Sequence, residues 1–129
     1  MEKFDKKVVT QLKRNLRELR QDYVKDINGA VDALSRQTTI NGVMSVKKDL
    51  LVNMLNNVPI NGSYCYFCVW HNTRQVFTGT SCLSCSYAKA HGRCVYGNDD
   101  NTWGQINQAL SKAQAIVIKS YWRGDEVDA

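Results

Sequence analysis

Residues 65 to 85 contain four of the five cysteines in this 129-residue chain, arranged as two Cys-x-x-Cys pairs. A Cys-x-x-Cys turn presents two sulfurs to one metal ion, and a second pair about fifteen residues later completes a tetrahedral set. The spacing therefore predicts one structural zinc site. Its predicted ligands are Cys65, Cys68, Cys82 and Cys85.

The segments around these pairs predict a β-hairpin followed by a short helix. SYCYFCVW and QVFTG are rich in aromatic and β-branched residues, and HNTR between them fits a four-residue hairpin loop. CLSCSYAKAHG reads as a short helix whose first turn holds Cys82 and Cys85 and which stops at Gly92. Two cysteines, a hairpin and two cysteines at a helix start form the layout of a treble-clef zinc finger.

Three further residues are chemically able to bind the metal. Cys94 follows the short helix in the sequence HGRC and is an alternative to Cys82 as the fourth ligand. His71 and His91 are weaker candidates. His71 falls in the predicted hairpin loop, where solvent contact is the simpler interpretation, and His91 near the helix end suits the helix dipole.

Other thiol chemistry fits the pattern less well. A reducing compartment disfavours structural disulfides, and a thioredoxin-like site needs a βαβ unit that the sequence does not predict. An iron–sulfur cluster also takes four cysteines and stays open as an alternative. Four thiols fill the zinc shell, and no Asp or Glu occurs between Leu50 and Asn98. We therefore expect no catalytic residues, no organic cofactor and no enzymatic activity.

The remainder of the chain predicts helices. Apolar residues recur every three or four positions over residues 3–27, which predicts a helix. Asn28-Gly29 should weaken or end it. Val31 and Leu34 keep the pattern, so a kinked continuation to about residue 35 is the alternative. A second helix over residues 44–58 ends at the only proline, Pro59. A third begins after Asp100 or Thr102 and runs over residues 103–122. The predicted buried stripe of the first helix is Phe4, Val8, Leu12, Leu16, Leu19, Tyr23 and Ile27.

These elements predict a single α+β domain over residues 1–129, mainly helical, with three main helices and an inserted treble-clef-like zinc hairpin. Residues 1–59 would form an N-terminal helical part, residues 60–97 the zinc-binding hairpin and short helix, and residues 100–122 the C-terminal helix. No apolar signal core or membrane-spanning run is visible in the sequence. We expect a cytoplasmic protein without a membrane partner.

The charge pattern bears on the choice of partner. The formal net charge is +5, and zinc held by four thiolates would lower it by two. Acidic side chains are interleaved with the basic ones in the first helix, so phosphate attraction should be weak and nucleic-acid binding is the second choice. A protein partner would instead contact exposed aromatic residues or the first helix, and a homodimer through that helix is also possible. The candidate contact residues are Tyr66, Trp70, Phe77 and Arg74.

The stretch from the first cysteine pair to TWGQI, residues 65 to 106, resembles small uncharacterised zinc-finger-like proteins encoded by bacteriophages. The resemblance implies a zinc fold and a phage accessory protein in the host cytoplasm, which binds a host protein and inhibits or redirects it in host takeover or anti-defence. A nucleic-acid-binding zinc module, or a sponge for a nucleotide signal, is the alternative. The matching residues are Cys65, Cys68, Cys82, Cys85, Tyr87, His91, Gly92, Cys94 and Trp103.

Overall fold

A computed structural model describes residues 2–74, 85–91 and 101–119 of the chain. Helices contain 84% of these residues, and no strand or sheet occurs among them. A short 3₁₀ turn at Gly62–Tyr64 precedes the third of the five α-helices found in these ranges. The helices are α1 (Lys6–Ser35), α2 (Ile40–Asn56), α3 (Tyr66–Arg74), α4 (Ser86–His91) and α5 (Thr102–Lys119).

The predicted α+β fold is wrong, because the first strand and the loop of the expected hairpin form helix α3. Cys65 has an extended backbone, and its carbonyl accepts the first helical hydrogen bond from Val69 N at 3.0 Å. Strand propensity depends on the surface against which a segment packs. Here Phe67 of α3 packs against Tyr87 of α4, with a distance of 5.7 Å between the two ring centroids. The second expected strand, residues 75–79, lies outside the described residues.

Helix α1 starts three residues later than the sequence predicts and does extend to Ser35. Asp5 begins the helix, since its carboxylate accepts a hydrogen bond from Lys7 N at 2.8 Å and its carbonyl accepts one from Val8 N. Gly29 lies inside the helix, where a Cβ would meet no other atom within 4 Å. An exposed interior glycine weakens a helix by about 1 kcal/mol without breaking it.

The chain divides into two compact units, and α1 and α5 contribute residues to both. The first unit contains Met1–Leu19 and Pro59–Ala109, and the second contains Arg20–Val58 and Leu110–Ala129. In the second unit, Tyr23 of α1 donates a hydrogen bond to Asn57 O at 2.6 Å. Gln114 of α5 donates one to Asn56 Oδ1 at 2.9 Å, so polar contacts connect all three helices of this unit.

The predicted apolar stripes are only partly buried. Val8 and Leu19 in α1 and Val117 in α5 are buried as core residues, whereas Phe4 is 76% exposed. The N-terminal cap of α5 is Asn101, whose side chain accepts hydrogen bonds from Trp103 N and Gly104 N, and not the predicted Thr102 or Asp100. No helix in the described ranges is both long and apolar enough to cross a membrane. Leu16 and Ile27 of the predicted α1 stripe are also exposed, as are the apolar residues Val43 in α2 and Ile106 in α5.

Candidate metal centre

Residues 2–5 precede α1 and lie across helix α3. The Tyr66 hydroxyl donates a hydrogen bond to Lys3 O at 2.5 Å and accepts one from Asp5 N at 2.7 Å. The Asp5 carboxylate forms an ion pair with the Arg74 guanidinium. These contacts, all within the first unit, bring Glu2 beside α3 and the start of α4.

Glu2, His71 and Cys85 form a compact cluster of potential metal ligands. Each offers one donor atom, and the three atoms lie within 4.8 Å of one another. Glu2 Oε1 is 2.6 Å from His71 Nε2 and accepts a hydrogen bond from Ser86 N at 2.9 Å. The side chains of His71 and Glu2 are only 5% and 2% exposed, and Cys85 is buried. Carboxylate oxygen, imidazole nitrogen and thiolate sulfur are all zinc donors.

The carboxylate of Glu2 is ionised despite its burial. Desolvation by burial alone would raise the pKa of Glu2, but hydrogen bonds from the side chain and backbone of Ser86 and from His71 outweigh it and hold this pKa at about 2. A buried carboxylate with this pKa carries a full negative charge at neutral pH. The centre therefore already has the protonation state in which a carboxylate binds a cation.

Two buried atoms of the centre that could bind a metal have no hydrogen-bond partner among the described residues. They are Glu2 Oε2 and His71 Nδ1. Buried polar atoms are nearly always paired, and an unpaired one costs about 1–3 kcal/mol, so an unpaired atom calls for a ligand. A ligand bound at either atom would satisfy that atom. The ligand atoms of a tetrahedral zinc ion are about 3.5 Å apart. The ligand atoms of Glu2, His71 and Cys85 lie within 4.8 Å of one another, so small side-chain movements would bring them to that separation.

The first cysteine pair lies at the start of α3, where hydrogen bonds favour the thiolate form of Cys65. The side chain of Cys68 donates a hydrogen bond to Cys65, and the backbone N–H groups of Cys68 and Phe67 add to it. Together these outweigh desolvation and lower the pKa of Cys65 to about 6. The Gly62 backbone packs against Cys68, since a Cβ there would lie 3.3 Å from Cys68 Sγ. Cys65 and Cys68 are not members of the Glu2–His71–Cys85 cluster.

The remaining predicted site residues have varied positions. His71 is buried on α3 rather than solvated in a hairpin loop, so that interpretation is wrong. His91 is exposed at the end of α4, with its ring 4.8 Å from that of Tyr87. The guanidinium of Arg74 stacks 4.1 Å above the Trp70 ring. Cys82, Cys94 and Phe77 lie outside the described residues.

Glu2 is the member of the centre that sequence reasoning misses. It lies 69 positions before His71, and motif spacing carries no information about a contact over that separation. The absence of acidic residues between Leu50 and Asn98 suggests a site without a carboxylate. The N-terminal segment supplies one instead.

Comparisons with protein-family models, curated proteins and solved structures found no match for this chain. The resemblance of residues 65 to 106 to bacteriophage zinc-finger-like proteins therefore stays a prediction. The function proposed below depends on the geometry of the described residues.

Proposed function

We propose that this protein is a zinc-stabilised binding protein in which Glu2, His71 and Cys85 hold the metal. The observation that carries the proposal is the buried cluster with two unpartnered donor atoms, Glu2 Oε2 and His71 Nδ1. A fourth ligand would come from the segments beside α4. Cys82, which forms a Cys-x-x-Cys pair with Cys85, and Cys94 are the candidates.

The donor set favours zinc over other common ions. Calcium and magnesium prefer shells made entirely of oxygen, whereas zinc accepts oxygen, nitrogen and sulfur together. Metal binding would tie the N-terminal segment to α3 and α4, which are distant in the chain. A small unit with few buried apolar side chains gains most from such a link, because metal binding then contributes to folding free energy.

An alternative ligand set consists of the four cysteines that the sequence predicts, Cys65, Cys68, Cys82 and Cys85. The low pKa of Cys65 supports it, because metals bind the thiolate form. Cys85 belongs to both sets. The two arrangements differ in their other ligands, which are Glu2 and His71 in the proposed set and Cys65 and Cys68 in the alternative set.

Metal content of purified variants tests the proposal. Protein purified without chelator should contain one zinc per chain, and Glu2→Gln and His71→Ala should each lose most of it. Cys65→Ser and Cys68→Ser should keep it, and His91→Ala serves as the matched histidine control. Absence of zinc from the wild type would contradict the proposal. Retention in Glu2→Gln together with loss in Cys65→Ser would establish the four-cysteine set.

The binding role that we propose is non-enzymatic and directed at a protein, in line with the resemblance to phage accessory proteins that act on a host protein. Arg74 is one of the basic side chains that could contact the phosphates of a nucleic acid, but its guanidinium is already paired with Asp5. Binding of a random DNA duplex, measured from low to moderate salt, tests the alternative. Tight binding would favour a nucleic-acid-binding module if the logarithm of the binding constant falls against the logarithm of the salt concentration with a slope of about −0.9 per phosphate contact.

A further inference from the structure

The surface of α3 formed by Tyr66, Trp70 and Arg74 already holds one short peptide segment, residues 2–5 of the same chain. Tyr66 recognises the main chain of this segment at two points, Lys3 O and Asp5 N. Main-chain contacts of this kind do not depend on the side chains of the segment. They would hold any extended peptide that lies in the same direction.

Two side chains give the contact its chemical specificity. The Phe4 ring lies parallel to the Tyr66 ring, with an interplanar angle of 7° and a centroid distance of 6.4 Å. The Asp5 carboxylate pairs with the Arg74 guanidinium. Hydrogen bonds, first from the backbone N–H of Lys7 and then from Arg74, lower the pKa of Asp5, so its carboxylate is charged. The seated segment thus places an aromatic residue, followed by an acidic one, against Tyr66 and Arg74.

Arg74 is oriented in advance for this contact. Its guanidinium stacks on the Trp70 ring and donates a hydrogen bond to Trp70 O at 3.1 Å. A restrained guanidinium loses less conformational freedom on binding a carboxylate. A pocket remains open beside the seated segment, and its lining residues are Lys3, Phe4, Asp5, Lys6, Trp70 and Arg74.

The specific part of the contact is shallow and replaceable. Phe4 is 76% exposed, and the Arg74 and Asp5 side chains are 35% and 26% exposed. Only Glu2, at the far end of the segment, is deeply anchored. Phe4 and Asp5 can therefore leave the surface while Glu2 stays in the metal centre.

We propose that this α3 surface is a docking site for a segment of a partner protein that carries an aromatic residue directly before an acidic one, and that residues 2–5 occupy it as an intramolecular competitor. The proposal extends the protein-binding role proposed above and rests on it. Charge complementarity with Arg74 and the seated copy of the same chemistry identify the class of occupant.

Fluorescence anisotropy with a labelled peptide tests the docking site on the full-length protein. The probe is EKFDKK, the sequence of residues 2–7, and the control probe is EKANKK. The double variant Phe4→Ala/Asp5→Asn should bind EKFDKK about tenfold more tightly than the wild type, because its internal competitor is weakened. Adding Arg74→Ala should reverse the gain, and EKANKK, which keeps only the main-chain contacts, should bind much more weakly than EKFDKK. Ser45→Ala, an exposed position on α2, should behave as the wild type.

Equal affinity of wild type and double variant, no binding by either, or no effect of Arg74→Ala would overturn the proposal. Displacement of the probe by oligothymidine but not by unlabelled EKFDKK would overturn it in favour of nucleic acid. Circular dichroism verifies the helical fold, and Asp5→Asn alone replaces the double variant if that one is unfolded. Zinc content measured on the same samples separates the two proposals, since absence of peptide binding by both the wild type and the double variant, with zinc intact, rejects the docking site alone.

Discussion

At the scale of single residues, Glu2 and Cys65 show how hydrogen bonds prepare ionised groups in this protein. The pKa of Glu2 is held at about 2 and that of Cys65 at about 6, in both cases against the effect of desolvation. The donors to Cys65 are local and lie in the first turn of α3, whereas those to Glu2 are distant in the sequence, Ser86 at the start of α4 and His71 in α3. Negative charge is thus fixed near two helix starts.

The Glu2→Gln substitution should destabilise the metal-free protein in a pH-dependent way. The folded-state pKa of about 2 lies below the usual value of 4.5, so the ionised carboxylate contributes stability above pH 4.5 that is lost as pH falls towards 2. At pH 6 we expect the variant to lose about 2 kcal/mol, because a charged buried acceptor is removed. Urea unfolding from pH 6 down to pH 3 measures this. A difference that stays constant over the range would contradict the ionised, hydrogen-bonded Glu2.

Cys65 should react readily as a thiolate near neutral pH in the metal-free protein. Its thiolate is stabilised first by the Cys68 side chain, so Cys68→Ala should raise its pKa, and iodoacetamide labelling of Cys65 should be half-maximal near pH 6 only in the wild type. Peptide mapping by mass spectrometry at several pH values measures the labelling. Labelling profiles that are the same in both proteins would show that Cys68 does not stabilise the thiolate.

At the scale of elements, α3 is the point where sequence reasoning and structure differ most. Aromatic and β-branched residues in SYCYFCVW favour a strand when read alone, yet the segment is helical and packs Phe67 against α4. Periodicity identifies α1, and of the two outcomes expected at Asn28-Gly29 the helix continues to Ser35 rather than ending there. Long amphipathic segments carry enough periods to be identified, whereas a nine-residue helix does not.

A proline in α3 distinguishes a helix from a hairpin loop. Asn72→Pro should destabilise the protein by about 3 kcal/mol, because proline inside a helix removes a backbone hydrogen bond and clashes with the preceding turn. Asn72→Ala is the matched control and should change stability by less than about 1 kcal/mol. Denaturant unfolding monitored by circular dichroism compares them. Equal stability of the two variants would support the loop that the sequence predicts.

The start of α2 depends on the Thr39 side chain. Its hydroxyl oxygen accepts a hydrogen bond from Gly42 N at 3.0 Å, so Thr39→Ala should cost about 1 kcal/mol. Thr39→Ser keeps the acceptor and should retain most of the stability. The free energies of unfolding of the two variants test this cap, and an alanine variant as stable as the serine variant would argue against it.

At the scale of the whole molecule, the candidate metal centre joins residues that the sequence separates widely. The Cys-x-x-Cys spacing predicts Cys85 as a ligand, whereas His71 is a weaker candidate because the sequence favours a hairpin over the helix that carries it. Glu2 escapes sequence reasoning, since its position depends on the contacts of residues 3–5 with Tyr66 and Arg74. Local motifs identify potential metal ligands within one segment of the sequence, but tertiary contacts determine which of these residues lie close together.

X-ray absorption spectroscopy at the zinc edge of the zinc-loaded protein tests the central claim most directly, because it measures the atoms bound to the metal. A centre containing Glu2, His71 and Cys85 predicts a mixed shell, with oxygen or nitrogen at about 2.0 Å and sulfur at about 2.3 Å. The light-atom signal should weaken in His71→Ala. A shell of four sulfur atoms at about 2.3 Å, unchanged in that variant, would contradict the proposed centre.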